Sequence, residues 1–501
     1  MAALDLKQAY HSVRIHEDYQ KYLRFEWESE LYQYTCFPNG LASCPRKYTK
    51  LTKVPLSHLR ERGHLIIGYL DDFFLRGRQF GKCKTSLIEA IGLLQRLGFT
   101  INPDKSQLDP VTKLIFLGFV IDSVAMTVTL PDEKKEELVS LIQYILSREY
   151  CRIRKVASLV GKMVSSLPAS LYGALYYRTI ENDKNRALKE NQGNYDRYMR
   201  LSDESKIEIQ WWKDNIDNMN APIQWPLISI EMTTDASGKG GWGASLVGNV
   251  PIGGTWDTEE IDLHINVKEM LAVFYAVRSY AESLSGKHVR VLSDNTTTVF
   301  VLNKMGTTKS SECNDVAKKV WMFCQSRDIY ITCSHIPGKE NVIADIESRR
   351  EYKQAEWMLN RSIFQAAVRF LKFTPSIDCF ATRVNAQLGD YVSRQPDPFA
   401  KHIDAFSLNW GPLNAYLFPP FSLINRVLQK IRIDRATVLC VLPVWKTQAW
   451  WPEMLDMIVG EPFRVRPDPG NLVLPNKDDE VHPLHRKLEL NICLLSGKNL
   501  E

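Results

Sequence analysis

Three acidic residues near the amino terminus have the types and the spacing of a metal site. Asp71 and Asp72 are adjacent and lie between the apolar runs 65–67 and 73–75. Two apolar runs of strand length around a polar pair predict a β-hairpin whose turn presents both carboxylates. Neighbouring anions repel each other, so a bound cation would favour this arrangement over a solvated turn. Asp5, a third acid upstream, supports the metal site.

A second set of acids lies in the middle of the chain. Asp235 and Asp294 each end a short apolar strand, and Glu269 falls in the expected first turn of a helix. Asp345 comes after a loop that contains His335. Each acid alone would be an ordinary surface residue. Together, at the ends of strands and the starts of helices, they predict a second site that binds a pair of cations.

Short strands and amphipathic helices must position these acids. The patterns predict a hairpin over 22–37, a helix over 87–97 that stops at Gly98, a strand at 116–120, a helix from 131 and a glycine-rich turn at 238–243. Residues 152–162 form a basic amphipathic helix, which is either a solvated face or a surface that follows phosphate groups. Residues 181–200 are expected as a linker or exposed helix, and Trp211-Trp212 with the turn 222–226 as the hinge before the next domain.

Length and composition describe a multidomain globular protein. At 501 residues the chain is expected to hold about three domains, and 45% hydrophobic with 24% charged residues is ordinary for such proteins. The net charge of +5 is small, so any nucleic-acid binding must come from local patches. Ten cysteines without a CxxC pair or zinc spacing indicate reduced thiols, in the cytoplasm or nucleus. The sequence shows neither a signal peptide nor an apolar run near 18 residues, so secretion and membrane insertion are not expected.

The carboxyl-terminal third alternates strand and helix patterns. Residues 376–382, 416–421 and 437–443 read as strands followed by turns, which favours an α/β layer fold over 365–476. Residues 477–501 are polar and are expected to form an irregular tail.

The first acid set resembles the palm of reverse transcriptases. Tyr69 with Asp71 and Asp72 matches that family's Tyr-x-Asp-Asp motif, and Asp5 lies where the family has its first acid. The resemblance implies that Asp5 and Asp71 bridge two Mg²⁺ ions, with Asp72 as a supporting ligand. It also implies roles in substrate binding for Tyr10 (a steric gate against the ribose 2′-hydroxyl), Asn39 and Gly40 (along template and nucleotide) and Lys105 (pyrophosphate release).

The second acid set is similar to the ribonuclease H family in its order. That resemblance implies two-metal hydrolysis of RNA in an RNA–DNA hybrid by Asp235, Glu269, Asp294 and Asp345, with His335 helping turnover.

The third region resembles phage-type adenine-N6 DNA methyltransferases, around Asp378 and the tetrapeptide Phe418, Pro419, Pro420 and Phe421. In that family the first residue of the tetrapeptide is Asp or Asn. The resemblance implies an S-adenosylmethionine site, but Phe418 cannot accept a hydrogen bond from the target amine. A rigid Pro-Pro loop without such a role is the alternative.

The domain order resembles a DIRS-type (tyrosine-recombinase) retrotransposon polyprotein. It implies a reverse transcriptase palm at 1–122, a helical thumb and connection at 123–227, a ribonuclease H fold at 228–350 and the methyltransferase-like α/β domain, in an α/β and α+β multidomain chain. The implied partners are an RNA template, a DNA primer, RNA–DNA hybrids, deoxynucleoside triphosphates and an element-encoded recombinase. The alternative is a decayed or truncated copy that acts only as a ribonuclease H or as a nucleic-acid-binding protein.

The resemblance also implies a fingers subdomain before Asp5, and the sequence starts without one. A fragment, a decayed copy and a misplaced start are the three explanations. The chain as written is expected to extend primers poorly.

Overall fold

The computed structural model describes residues 1–350, 357–475 and 480–498. Within them the chain forms two compact units, Met1–Trp225 and Pro226–Glu501. In the described part of the chain, no helix is both long and apolar enough to cross a membrane.

The first unit combines small antiparallel sheets with helices. Its strands are β1 (Ala2–Asp5), β2 (Arg24–Trp27), β3 (Glu30–Gln33), β4 (Leu65–Tyr69), β5 (Asp72–Arg76), β6 (Lys113–Phe116), β7 (Phe119–Asp122), β8 (Thr127–Thr129), β9 (Cys151–Arg152), β10 (Tyr198–Met199) and β11 (Ala221–Pro222). Its helices are α1 (Glu17–Gln20), α2 (Cys44–Glu61), α3 (Phe80–Arg96), α4 (Asp132–Leu146), α5 (Ile153–Ser166), α6 (Arg178–Glu190) and α7 (Asp203–Asn215).

The sheet β1-β5-β4 is the centre of the amino-terminal part. Along β1 buried and partly exposed residues alternate, whereas β5 has a continuous buried run. Leu4 on β1 and Phe73 and Leu75 on β5 are therefore buried against α2 and α3. Burying one such side chain contributes about 1.5–3 kcal/mol. Because successive side chains of a strand point to opposite faces, burial of Leu4 turns Asp5 to the other face.

Most of the expected elements of this unit are present, and two expectations were wrong. The hairpin over 22–37 is β2–β3, and α3 ends just before Gly98. The stretch 116–120 is a hairpin turn and not a single strand, because Leu117 and Gly118 both have positive φ and reverse the chain between β6 and β7. The second wrong expectation was a hinge at Trp211-Trp212, since Trp212 is fully buried in α7 and its indole N–H donates to the Tyr176 carbonyl over 2.9 Å. The turn 222–226 does contain the boundary between the two units, which falls between Trp225 and Pro226.

The second unit contains two five-stranded sheets. Its strands are β12 (Ile230–Ala236), β13 (Gly241–Leu246), β14 (Ile252–Thr255), β15 (His288–Ser293), β16 (Tyr330–His335), β17 (Met358–Leu359), β18 (Ile377–Asp378), β19 (Val392–Ser393), β20 (His402–Ile403), β21 (Ala415–Leu417), β22 (Thr437–Pro443), β23 (Phe463–Val465), β24 (Leu472–Val473) and β25 (Leu490–Ser496). Its helices are α8 (Ile265–Ser279), α9 (Ala281–Leu284), α10 (Thr296–Asn303), α11 (Ser311–Ser326), α12 (Val342–Arg349), α13 (Arg361–Leu371), α14 (Ile424–Ile433) and α15 (Trp451–Met457).

The first sheet of this unit has the order β14-β13-β12-β15-β16. β12 pairs antiparallel with β13 and parallel with β15, and β15 pairs parallel with β16. The carboxyl ends of β12, β15 and β16 therefore meet at one edge of the sheet, where α8 and α12 also pack. This edge brings together acids that are far apart in the sequence.

The second sheet has the order β18-β21-β22-β25-β23, parallel over the first three strands and antiparallel beyond. The expected irregular tail over 477–501 was wrong in its last part. β25 lies between β22 and β23 and pairs with β22 over seven residues. Its apolar run, from Leu490 to Leu495, is buried on almost every side, which explains why this sequence forms a strand. Residues 477–479 and 499–501 of the expected tail lie outside the described residues.

Candidate active sites

The β1-β5-β4 sheet brings Asp5, Asp71 and Asp72 together. Asp5 and Asp72 are direct partners in the antiparallel register of β1 and β5. Asp71 lies in the two-residue turn between β4 and β5, and its carbonyl accepts a hydrogen bond of 3.1 Å from the Leu6 N–H. Leu70, the other turn residue, has φ +55°, a strained conformation for leucine. Backbone strain of this kind is concentrated at functional sites.

Two polar residues that sequence reasoning missed hold Asp5 in place. Asn102 Nδ2 donates to Asp5 Oδ1 over 2.8 Å. Ser106 Oγ accepts from the Asp5 N–H over 3.0 Å and donates to the Asn102 carbonyl over 2.6 Å. Both residues lie in the same loop as Lys105, the one residue of this loop to which the sequence assigned a role. Their position next to that lysine was the signal that could have identified them.

The three carboxylates influence one another. Burial, followed by the charges of Asp71 and Asp5, raises the pKa of Asp72, and Lys105 opposes this shift. A site that makes ionisation of one carboxylate unfavourable is a site that a cation stabilises. Lys105 itself is exposed, as are Asn39 and Gly40 in the loop before α2.

Tyr10 lies beside the same acids and packs edge-on against Tyr48, with ring centroids 5.6 Å apart. Burial and then the charge of Asp71 raise the pKa of Tyr10. Tyr48, on α2, was not recognised from the sequence. It is fully buried, and its hydroxyl has no hydrogen-bond partner among the described residues. The apolar spacing of α2 (Cys44, Tyr48, Leu56 and Leu59) was the signal that placed it in the core.

The second site is a tighter cluster. One carboxylate oxygen from each of Asp235, Glu269 and Asp294 lies within 4.8 Å of the other two. Asp235 lies on β12, Asp294 directly follows β15, and Glu269 lies on α8. α8 begins at Ile265, because the His264 ring accepts from the Asn266 N–H over 3.1 Å, so the expected first-turn position of Glu269 was wrong and it lies in the second turn. In the described residues this is the one group of three metal-type ligands found.

Glu269 has the features of an acid that needs a cation. Its Oε2 is buried and has no hydrogen-bond partner in the described chain. Burial, and then the charges of Asp235 and Asp294, raise its pKa to about 8. Three carboxylates without sulfur or imidazole form the oxygen-only donor set that Mg²⁺ prefers. The residues present therefore fit a divalent metal.

Asp345 is near this cluster but is not part of it. Its Oδ1 accepts from Arg349 Nε over 2.6 Å, one turn further along α12. Ser348 connects the two regions, because its Oγ lies 2.6 Å from Asp235 Oδ2 and 2.9 Å from the Asp345 carbonyl. Ser348 was missed by sequence reasoning, although its position three residues after Asp345 places it on the same face of the helix.

The loop that follows β16 closes on the cluster from another side. His335 ends β16 opposite Ser293 of β15, and it is exposed. The Ile336 N–H donates to the Ser293 carbonyl over 3.1 Å. Gly338 lies so near Asp294 that a Cβ at this position would approach its Oδ2 to 2.8 Å. The loop of His335 is thus fixed beside the Asp294 carboxylate.

The candidate acid of the carboxyl-terminal sheet, Asp378, is buried. Asp378 is 2% exposed, and its two oxygens accept from the N–H groups of Phe380 over 3.3 Å and Gln387 over 3.0 Å. Burial raises the pKa of Asp378 to about 6. Phe418 follows β21 and belongs to an aromatic group with Phe421 and Trp445, whose ring centroids are 6.4 Å and 5.1 Å apart in succession.

Comparison with known proteins agrees with the geometry of the first site. Residues 1–121 match the reverse transcriptase (RNA-dependent DNA polymerase) family, so the amino-terminal part of the chain is a reverse transcriptase domain. Protein P of duck hepatitis B virus (strain Germany/DHBV-3) is 26% identical over 167 residues, which are 33% of this chain and 21% of that protein. The Gag-Pol polyprotein of Rous sarcoma virus subgroup C (strain Prague) is 23% identical over 205 residues, 38% of this chain and 12% of that polyprotein.

The chain spans about a fifth or less of the length of these relatives. A solved structure of a foamy viral protease-reverse transcriptase in complex with an RNA/DNA hybrid aligns with 70% of this chain and 45% of its own, at 16% identity and a TM-score of 0.41.

Proposed function

We propose that this chain is the reverse transcriptase of a retroelement and that it also carries a ribonuclease H site. It would copy RNA into DNA with Asp5, Asp71 and Asp72, and cut the RNA strand of RNA–DNA hybrids with the acids of the second unit. The family match of residues 1–121 supports the polymerase part. The single observation that carries the nuclease part is the approach of Asp235, Glu269 and Asp294 to within 4.8 Å.

In the nuclease site, Asp235, Glu269 and Asp294 would hold divalent cations, with Asp345 as the fourth acid. Such a pair of ions supplies an activated water and stabilises the leaving oxygen. Ser348 orients Asp235, since its hydroxyl donates to the Oδ2 atom. The unpartnered Oε2 of Glu269 would gain its missing partner on metal binding. His335, exposed at the end of β16 opposite Ser293, would exchange protons with the cleaved strand.

In the palm, Asp5 and Asp71 would hold the ions for nucleotidyl transfer, with Asp72 in support. Asn102 and Ser106 keep Asp5 at the register position opposite Asp72. Tyr10, packed on Tyr48, would lie against the sugar of the incoming nucleotide, and Lys105 would face its pyrophosphate.

The second five-stranded sheet and the elements around it, in residues 357–475 and 480–498, form the carboxyl-terminal body. For this body we propose an α/β layer of methyltransferase type that does not transfer methyl groups. Phe418 offers no acceptor to an amine, and Asp378 is buried beneath the sheet edge rather than open to a cofactor. The domain order supports an origin in a DIRS-type element.

The experiment uses the full chain and an RNA–DNA hybrid with labelled RNA. With Mg²⁺ the RNA strand should be cut, and Asp294→Asn should lower the rate by orders of magnitude because a ligand charge is lost. Asp328→Asn is a matched control, since Asp328 is an exposed acid outside the cluster. Cleavage that survives Asp294→Asn would refute the nuclease assignment, and hybrid binding without cleavage would favour a nucleic-acid-binding protein.

A further inference from the structure

A cavity of about 200 Å³ lies where the first sheet of the second unit meets the carboxyl-terminal body. From the sheet it is lined by Trp242 of β13 and by Gly253 and Gly254 of β14. From the carboxyl-terminal body it is lined by the turn 382–384 and the loop 393–398. The volume suits a group of roughly the size of benzene or phosphate.

A network of buried contacts keeps the two walls of the cavity together. Arg383 Nη1 lies 2.9 Å from Asp257 Oδ2, and its Nη2 lies 2.7 Å from Glu260 Oε2 and 2.8 Å from the Thr255 carbonyl. The Arg383 side chain is 10% exposed and stacks over Tyr275 at 4.7 Å. Because two carboxylates neutralise Arg383, this residue holds the walls of the cavity together but does not make the cavity positively charged.

The lining of the cavity contains a buried donor without a partner. Trp242 is 2% exposed, and its Nε1–H, which can only donate, has no partner among the described residues. A Cβ at position 254 would lie 3.0 Å from this nitrogen, so a larger residue there would crowd the indole. The indole N–H is therefore a buried, unpartnered donor in the wall of the cavity.

A backbone donor and two cations add to this N–H. The Thr255 carbonyl points away from β13, to Arg383. In an antiparallel pair the groups of residues two apart point the same way, so the N–H and the carbonyl of Gly253 both face away from β13, on the side of the strand where Arg383 binds. Arg394 is exposed and has no acidic partner in the described chain, and Arg350 lines the same cavity while it pairs with Glu347 at 3.3 Å.

The one carboxylate in the lining is already occupied. Asp397 accepts from the N–H groups of Arg383 over 3.0 Å and Phe399 over 3.2 Å, and from the Tyr391 hydroxyl. It therefore does not compete for the free donors. The lining therefore combines the positive charge of Arg350 and Arg394 with neutral polar groups, and its one carboxylate is already hydrogen-bonded.

We propose that this cavity binds a phosphate group, with Arg394 and the Gly253 backbone N–H as donors and the Trp242 indole in its wall. The phosphate belongs either to a free nucleotide or to a nucleic-acid strand. Charge-assisted hydrogen bonds of guanidinium to phosphate are the strong ones in proteins, which makes Arg394 the dominant contact. The site is separate from the acid cluster, and its existence does not depend on hydrolysis there.

The test uses the full chain labelled with ¹⁵N-tryptophan, in phosphate-free buffer with EDTA to exclude binding through metal. Trp242→Phe identifies the indole signal of Trp242 among the twelve tryptophans. Inorganic phosphate, dAMP and a 12-nucleotide single-stranded DNA are then added at constant ionic strength. We expect a saturable shift of this signal, and a dissociation constant about tenfold higher for Arg394→Ala, equivalent to about 1.4 kcal/mol.

Arg369→Ala, an exposed arginine of the same body outside the lining, should bind like the wild type. Binding of dAMP as tightly as the oligonucleotide would identify a free nucleotide as the source, and binding of the oligonucleotide alone would identify a strand. A Trp242 signal that moves with none of the three probes, or equally in Arg394→Ala, would overturn the proposal. Asp294→Asn should retain phosphate binding even though it abolishes cleavage, so the two proposals fail independently.

Discussion

Ser348 donates a hydrogen bond of 2.6 Å to Asp235 Oδ2, across 113 residues of sequence. The same hydroxyl lies 2.9 Å from the Asp345 carbonyl, so one side chain ties the first acid of the cluster to the helix of the fourth. Ser348 is 1% exposed and has little freedom to point elsewhere. It acts on the proposed metal through Asp235 and is a positioning residue.

Ser348→Ala should therefore weaken the binding of Mg²⁺ at the acid cluster. Outer-shell partners of metal ligands typically change affinity or activity by about 10–100-fold, so the Mg²⁺ concentration for half-maximal hybrid cleavage should rise by a factor in this range. The measurement is a Mg²⁺ titration of the cleavage rate, with the exposed Ser326→Ala as control. An unchanged Mg²⁺ dependence would show that Ser348 only packs.

Arg383 should stabilise the second unit strongly. Its guanidinium is buried between Asp257 and Glu260, and the Tyr275 hydroxyl also contacts Glu260. Removal of Arg383 leaves the buried Glu260 carboxylate uncompensated, which costs about 3–5 kcal/mol in comparable ion pairs. We expect Arg383→Met to lower the free energy of unfolding by this amount in urea denaturation, against a negligible change for Arg369→Met. If the double variant Arg383→Met/Glu260→Gln lost as much free energy of unfolding as the two single variants together, Arg383 and Glu260 would not be energetically coupled.

Asp378 makes stability depend on pH. Burial raises its pKa from 3.8 in the unfolded chain to about 6 in the folded one, so the folded state binds the proton more tightly. The contribution of this carboxyl to stability is fully present below about pH 4 and is lost as the pH rises to about 6. With about 1.4 kcal/mol for each pKa unit, the loss is about 3 kcal/mol.

Asp378→Asn removes this titration. The free energy of unfolding of the wild type, relative to that of the variant, should therefore fall by about 3 kcal/mol between pH 4 and pH 7.5. Urea denaturation of both proteins at the two pH values measures it. A difference that stays constant across this interval would mean that the buried carboxyl does not titrate there.

Local patterns predicted the strands and turns that carry the acids, because alternation and turn residues are properties of neighbouring positions. The hairpin of Asp71 and Asp72 and the strand ends at Asp235 and Asp294 were accessible in this way. The residues that support the acids were not. Asn102 and Ser348 contact acids 97 and 113 residues away, and only the folded sheets bring them together.

Two other features were missed for different reasons. Arg349 forms an ion pair with Asp345, and a Coulombic contact of this kind competes with metal binding in a way that motif spacing cannot show. β25 was hidden because its apolar run follows a polar stretch near the end of the chain, although its seven-residue pairing with β22 completes the core.

The carboxyl-terminal body should not methylate DNA. An adenine amine needs an oxygen acceptor at the position of Phe418, and a desolvated amine without one is unfavourable by about 1–3 kcal/mol. Methyl transfer from S-adenosylmethionine to adenine-containing DNA should be absent in the full chain. Transfer only after Phe418→Asn would show that this side chain silences the site, whereas transfer by the unmodified chain would contradict the prediction.

The most direct test of the metal centre is anomalous scattering from crystals of the full chain grown with Mn²⁺ in place of Mg²⁺. We predict an anomalous peak bounded by the carboxylates of Asp235, Glu269 and Asp294, and its disappearance in Asp294→Asn crystals. Crystals of the wild type with manganese bound elsewhere and no peak between these three carboxylates would contradict the account.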